Sequence, residues 1–320
     1  MLLFGLALTA ASAFLLSRGI TGRANDRFTH TADRVAQQIE ERFLRSSLGL
    51  SGIQAFYASS GQVSRKQFQT YVAARNLAID FPGVRGFGMI QRVKRKDLQK
   101  LVLAERADDA PDFTIRQLVD KDLDDLFVIR IIEPADQNEG ALGLDIGSER
   151  LRRTAAEKAV DTGETTLTGT IALVQDNQQT AGALLFVPVY RSGEQVTNVQ
   201  ERRAALIGLL YSPIVFAELM QGIAAAEGGD IEFQLLDPGT QTLRQSNTFY
   251  NSDRSPDRGR AGVGARFERY QTLSLTQRDI VLRIVSTPRF EAEVDHLPSW
   301  AVLGGGSIVI HKSGGAAAAG

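Results

Sequence analysis

The chain has 320 residues, 43% of them hydrophobic and 23% charged, a balance that excludes a disordered or fibrous protein. Thirty-six Lys+Arg against 37 Asp+Glu leave a net charge of -1, without the basic excess of a nucleic-acid-binding protein, so no nucleic acid is expected as a partner. With no cysteine and only His30, His296 and His311, zinc–cysteine sites, iron–sulfur clusters, cysteine nucleophiles and His-dependent triads fall away, and neither metal nor cofactor is expected.

Residues 1–16 (MLLFGLALTAASAFLL) carry no charged side chain. They fall short of the roughly 20 residues that span a bilayer and lack the basic n-region of a cleaved signal, so residues 1–17 read as a shortened first membrane helix. Beyond them Ile20, Ala24, Phe28, Ala32, Val35, Ile39 and Phe43, then Leu50, Ile53 and Phe56, recur in helical steps. A helix of about 35 residues would be roughly 50 Å long, more than the depth of one domain. Part of its stripe then calls for a partner helix, met by a parallel homodimer through a stalk at residues 18–62. The other reading lays the helix along its own domain.

Ser64 and Gln67 form a capping box and Val63 can staple to Phe68, starting a helix over 64–77. A strand at 84–93, a charged helix at 96–106 and strands at 113–118 and 127–133 follow. Ser148 is positioned to cap a helix carrying Leu151, Ala155, Ala159 and Val160, with Gly163 just past its end. Strands at 166–174 and 182–191 flank a turn at Asp176-Asn177. After a polar loop at 192–203, the pattern predicts a strand at 204–211, a helix at 213–226 and strands at 231–236, 267–275 and 280–286. The fold class is α+β, with mainly antiparallel strands in two successive small sheets. Residues 297–310, with Trp300 at their start, open like a second membrane segment, or else form a buried strand. Residues 311–320 are a low-complexity tail.

Three stretches together resemble the CHASE family of extracytoplasmic sensor domains, whose plant members are the cytokinin receptors. They are Arg85-Gly86-Phe87-Gly88, residues 141–168 (ALGLDIGSERLRRTAAEKAVDTG followed by ETTLT), and residues 182–191 (GALLFVPVYR) with 206–213 (LIGLLYSP). Their order and spacing over residues 80–220 carry the likeness. The resemblance implies a long N-terminal stalk helix and two tandem PAS-like subdomains in a homodimer. The distal subdomain would cover 63–203 and the membrane-proximal one 204–296, with residues 18–296 in the periplasm and both ends in the inner membrane. In plant members an aspartate just before the capped helix binds an adenine-type hormone, and the matching position is Asp145, with Leu167 and Thr168 after the helix. A carboxylate accepts hydrogen bonds from purine N–H groups, which supports that role. Where plant receptors carry an aromatic before a proline, this chain has Glu133-Pro134. Glu133 and Phe127 complete the candidate ligand-binding set.

No catalytic residue is expected. Residues 227–233 (EGGDIEF) look like a cyclase signature with one inserted residue, and read better as a helix end followed by a strand. Gly86-x-Gly88 lacks the rest of a dinucleotide fingerprint and signals close packing. The leading expectation is a small-molecule sensor joined to a histidine kinase or nucleotide cyclase. A ligand-free dimeric spacer touching a periplasmic protein is the second reading, and an extracytoplasmic hydrolase the third.

Overall fold

The apolar stripe of the N-terminal helix finds its partner within the chain. In the computed structural model, which describes residues 2–61, 63–174, 181–238, 247–253 and 264–296, α1 (Leu2–Ser60) is one unbroken helix of 59 residues. Ala24, Phe28, Ala32, Val35, Ile39, Phe43, Leu50 and Ile53 are all buried in a core shared with two β-sheets. Because these side chains are covered in cis, the expectation that the stripe needs a second helix is corrected. Another face of α1 stays open, with Leu44 and Leu48 each 59% exposed.

The chain continues through α2 (Arg65–Ala73), α3 (Leu77–Asp80), β1 (Phe87–Lys94), α4 (Leu98–Ala107), β2 (Arg116–Gln117), β3 (Asp125–Glu133) and β4 (Leu144–Asp145). Next come α5 (Arg150–Thr162), β5 (Thr166–Leu167), β6 (Ile171–Ala172), β7 (Ala181–Tyr190), α6 (Val199–Ala205) and β8 (Leu206–Val215). The remainder is α7 (Phe216–Leu219), α8 (Ile223–Ala226), β9 (Ile231–Asp237), β10 (Asn247–Asn251), β11 (Glu268–Leu275), β12 (Arg278–Ser286) and α9 (Pro288–His296).

The first sheet has the order β2-β4-β3-β1-β8-β7-β5, with β6 also on β7, and the second β10-β9-β12-β11. Every strand pair is antiparallel except β2 with β4. The molecule is therefore α+β, with a long N-terminal helix and PAS-like, antiparallel-rich sheets. One face of the first sheet, with Met89, Leu185, Val187 and Leu210, belongs to the α1 core. The other, with Ile90, Ile129, Leu184, Phe186, Leu209 and Tyr211, packs with Ala155, Ala156, Ala159 and Val160 of α5. Burial on both faces explains why β7 and β8 are almost unbroken apolar runs.

Several expected elements change. The strand expected to open the second unit at 204 is β8, which lies at the centre of the first sheet between β1 and β7. It extends through Pro213 because residues 83–85 pair with it: Arg85 N donates to Pro213 O and Val215 N to Gly83 O. The helix expected at 213–226 thus shrinks to the single turns α7 and α8. Within the polar loop at 192–203, Asn198 and Glu201 form a capping box that starts α6. Ser148 does not cap α5; Glu149 does, accepting from Leu151 N and Arg152 N, while Ser148 Oγ donates to Asp145 O and accepts from Leu118 N. The turn at Asp176-Asn177 and residues 297–320 lie outside the described residues. Among the described residues no helix is long and apolar enough to cross a membrane.

α1 straps the two sheets together. Phe28 lies 5.7 Å from the Phe267 ring and 6.1 Å from Phe290, and Arg34 pairs with Glu227 at 2.5 Å and Asp33 with Arg269 at 2.9 Å.

Candidate functional site

The candidate residues sort into three places. Asp145 and Phe127 come together at the β3–β4 pair. Gly143, at φ 76°, precedes them at a point where a Cβ would lie 1.8 Å from Thr114 O, so only glycine lets β4 approach this closely. Asp145 is fully buried. Its Oδ1 accepts from Phe127 N and Gly147 N, both at 2.9 Å, and its Oδ2 accepts from Gln117 Nε2 at 3.1 Å. The carboxylate thus ties β2, β3 and the turn before α5 to one point. Phe127 is also buried, with the guanidinium groups of Arg92 and Arg153 at 5.4 and 5.5 Å from its ring. Both arginines pair with Asp125, whose pKa is lowered: burial acts to raise it, and the hydrogen bonds from Arg153 and Arg92 outweigh that.

Leu167 and Thr168 sit at the edge of β7. Leu167 faces the α1 core, and its N donates to Thr276 O at the tip of the β11–β12 hairpin. Thr168 clasps Leu184, donating from its own N to Leu184 O and accepting from Leu184 N at Oγ1, both at 3.0 Å. Glu133 is elsewhere, at the far end of β3 from Phe127. It lines an open cleft of about 1500 Å³ with α2, α3 and Glu218, where burial raises its pKa against the opposing hydrogen bond from Ala135 N.

Between the first sheet and α5 is a small, partly open cavity of about 10 Å³, lined by seven apolar residues together with Arg152 and Tyr211. Leu144 and Ile146 are among the lining residues, while Asp145 between them is not. Tyr211 is completely buried and its hydroxyl has no hydrogen-bond partner among the described residues. Burial alone raises its pKa well above the ordinary phenol value. The ring lies over Gly88, where a Cβ would come within 2.3 Å of Tyr211 Cε1, which gives the Gly86-x-Gly88 spacing its packing reason.

Arg152 is buried on the face of α5 that carries Ala155, Ala156 and Ala159. Its Nη2 donates to Ala172 O at 2.7 Å, and its nearest carboxylate, Glu149, stands 3.5 Å from Nη1. Burial lowers its pKa, opposed by Glu149. Thr168 reaches this cavity only through Leu184, and the other sequence candidates do not line it. Tyr211 and Arg152 were not among those candidates. A charged side chain in register with alanines on a buried helix face, and a phenol in a strand buried on both sides, are the signals that point to them. Among the described residues no group of three or more carboxylate, histidine or cysteine side chains is placed to hold a metal.

Residues 61–250 match the family model of the CHASE domain, more than half of the chain, and the protein belongs to that family. A comparison with curated proteins returned no match. CHASE domains are extracellular sensor modules of signalling receptors and are not themselves catalytic.

Proposed function

We propose that this chain is the periplasmic ligand-sensing module of an inner-membrane receptor. It binds a small molecule in the cavity between the first sheet and α5, and passes the event to a cytoplasmic histidine kinase or nucleotide cyclase. The observation that carries the reading is that the buried Tyr211, whose hydroxyl has no partner among the described residues, and Arg152, whose ion pair with Glu149 is a long 3.5 Å, line one small cavity. Buried polar groups left without partners are costly, so a ligand supplying them would bind with a gain that the folded protein lacks.

The route outward is short. Lys158 of α5 donates to Gln277 O at 2.6 Å and Leu167 N to Thr276 O at 3.3 Å, so both elements beyond the cavity touch the β11–β12 hairpin. That hairpin belongs to the membrane-proximal unit of the proposed layout, and α1 is its stalk. Residues 1–17 and 297–310 hold the module at the membrane on this reading. The homodimer forms through the exposed face of α1 around Leu44 and Leu48, whose apolar surface is left open by the described residues.

The purine-type ligand that the family likeness suggests would have to reach Asp145 by displacing Gln117, because both carboxylate oxygens are engaged. A second reading, a ligand-free dimeric spacer contacting a periplasmic protein, is favoured by the small volume of the cavity, about 10 Å³. That is room for about one water.

Thermal unfolding of the chain against purines, cytokinins, amino acids and small carboxylates separates the two. A ligand at a hundredfold excess over its dissociation constant stabilises by about 2.7 kcal/mol, a shift of several degrees. The sensor reading predicts such a shift for one chemical class. No shift from any class, with the protein folded, leaves the spacer.

A further inference from the structure

We infer that the cavity under α5 is a receptor site for a small carboxylate carrying a compact apolar group, held by the Arg152 guanidinium and the Tyr211 hydroxyl. This rests on the sensor reading and adds the ligand class. The polar inventory of the cavity decides it. Arg152 offers only donors, and the Tyr211 hydroxyl lacks any partner among the described residues, so the two groups complement an acceptor with negative charge. Among the described residues no acidic side chain lines the space, so the edge of a purine, which needs an acceptor for its N–H groups, finds none among them.

The charge balance points the same way. Among the described residues the carboxylate paired with Arg152 is that of Glu149, whose Oε2 accepts from Nη1 at a long 3.5 Å while the same carboxylate also accepts from Leu151 N and Arg152 N as the cap of α5. A buried cation whose counter-charge is held at that length and shared with two backbone amides gains from an anion that comes closer. Once the cavity widens from about 10 Å³, the rest of the lining, Ile129, Leu144, Ile146, Leu173 and Leu184 among it, suits a small hydrocarbon body and rejects a polar one.

Admission requires the cavity to widen, and one wall is lightly pinned. Leu173 and Val174 follow β6, a strand of two residues that meets β7 at two positions only, Ile171 with Gly182 and Ala172 with Ala181. Arg152 holds this same strand through Ala172 O. A carboxylate that takes up the guanidinium therefore competes with the contact fastening that wall, and binding and opening are one event.

The test uses the 320-residue chain at neutral pH with propionate, isobutyrate and benzoate as sodium salts. The matching amides and equal sodium chloride serve as controls. The carboxylates should raise the unfolding midpoint and bind saturably by calorimetry, while the amides and chloride do neither. Tyr211→Phe removes a hydroxyl that has no partner among the described residues, so it should unfold no earlier than the parent. Loss of one hydrogen bond to a charged group should nevertheless weaken carboxylate binding about 10- to 100-fold.

Saturable binding of purines or amides but not of carboxylates would overturn the ligand class and leave the sensor reading standing. Carboxylate binding unchanged in a folded Tyr211→Phe variant would overturn the site. No binding of any of these carboxylates by a folded chain would overturn the ligand class, and the sensor reading falls with it only if purines, cytokinins and amino acids also leave the unfolding midpoint unchanged.

Discussion

Asp145 accepts hydrogen bonds from β2, from β3 and from the turn before α5, so its carboxylate acts first on the fold. Replacing it by alanine leaves the buried Phe127 and Gly147 amides without an acceptor. At about 1–3 kcal/mol for each, Asp145→Ala should lose about 2–6 kcal/mol of stability in urea unfolding. Asp145→Asn keeps an oxygen for both amides, and Gln117 can turn its amide to meet the new NH₂, so it should lose less than half as much. An alanine variant within 0.5 kcal/mol of the parent would show that the carboxylate is not needed by the fold. Loss of ligand response in Asp145→Ala thus does not locate a ligand, whereas Tyr211→Phe does. The contrast shows what was legible at this scale: Asp145 was found from its position before a helix, and its role as an anchor became visible only with Gln117 and Phe127 beside it.

At the scale of elements, α1 is the piece whose loss would be felt furthest. Phe28 is buried between Phe267 and Phe290, joining the helix to the second sheet. Truncating a buried aromatic removes apolar contact and leaves a cavity, so Phe28→Ala should cost about 3–5 kcal/mol, read as a lowered unfolding midpoint of the whole chain. A midpoint within a degree of the parent would mean that the helix does not clamp the second sheet.

The periodicity of α1, the capping box of α2 and the glycine that closes α5 were legible, because each depends on residues close in sequence. What covers the α1 stripe was not, since periodicity shows that a face is buried and not against what. The end of β8 was misread for a related reason. Pro213 looks like a helix start locally, and only its pairing with residues 83–85, more than a hundred positions away, makes it strand. Arg152 and Tyr211 are not legible in the sequence because what marks them, a buried guanidinium with a long ion pair and a buried hydroxyl without a partner among the described residues, appears only in the fold.

Across the whole molecule, the cavity, α5, β5 and the β11–β12 hairpin form one connected path. Its far end carries Thr276 and Gln277 at φ 47° and 62°, a left-handed conformation costly for residues with a Cβ and held here by contacts from Lys158 and Leu167. On the proposed reading, a ligand that repositions α5 would change those contacts, and the hairpin would register occupancy at a distance. Such coupling needs two arrangements that the ligand distinguishes, not a large movement.

The most direct measurement is hydrogen exchange of the 320-residue chain with and without saturating benzoate. The account predicts slower exchange in α5 and β5–β7, together with a change at residues 274–279 of the hairpin and none at the open cleft beside Glu133. Protection confined to that cleft, or protection of α5 without any response in the hairpin, would contradict it.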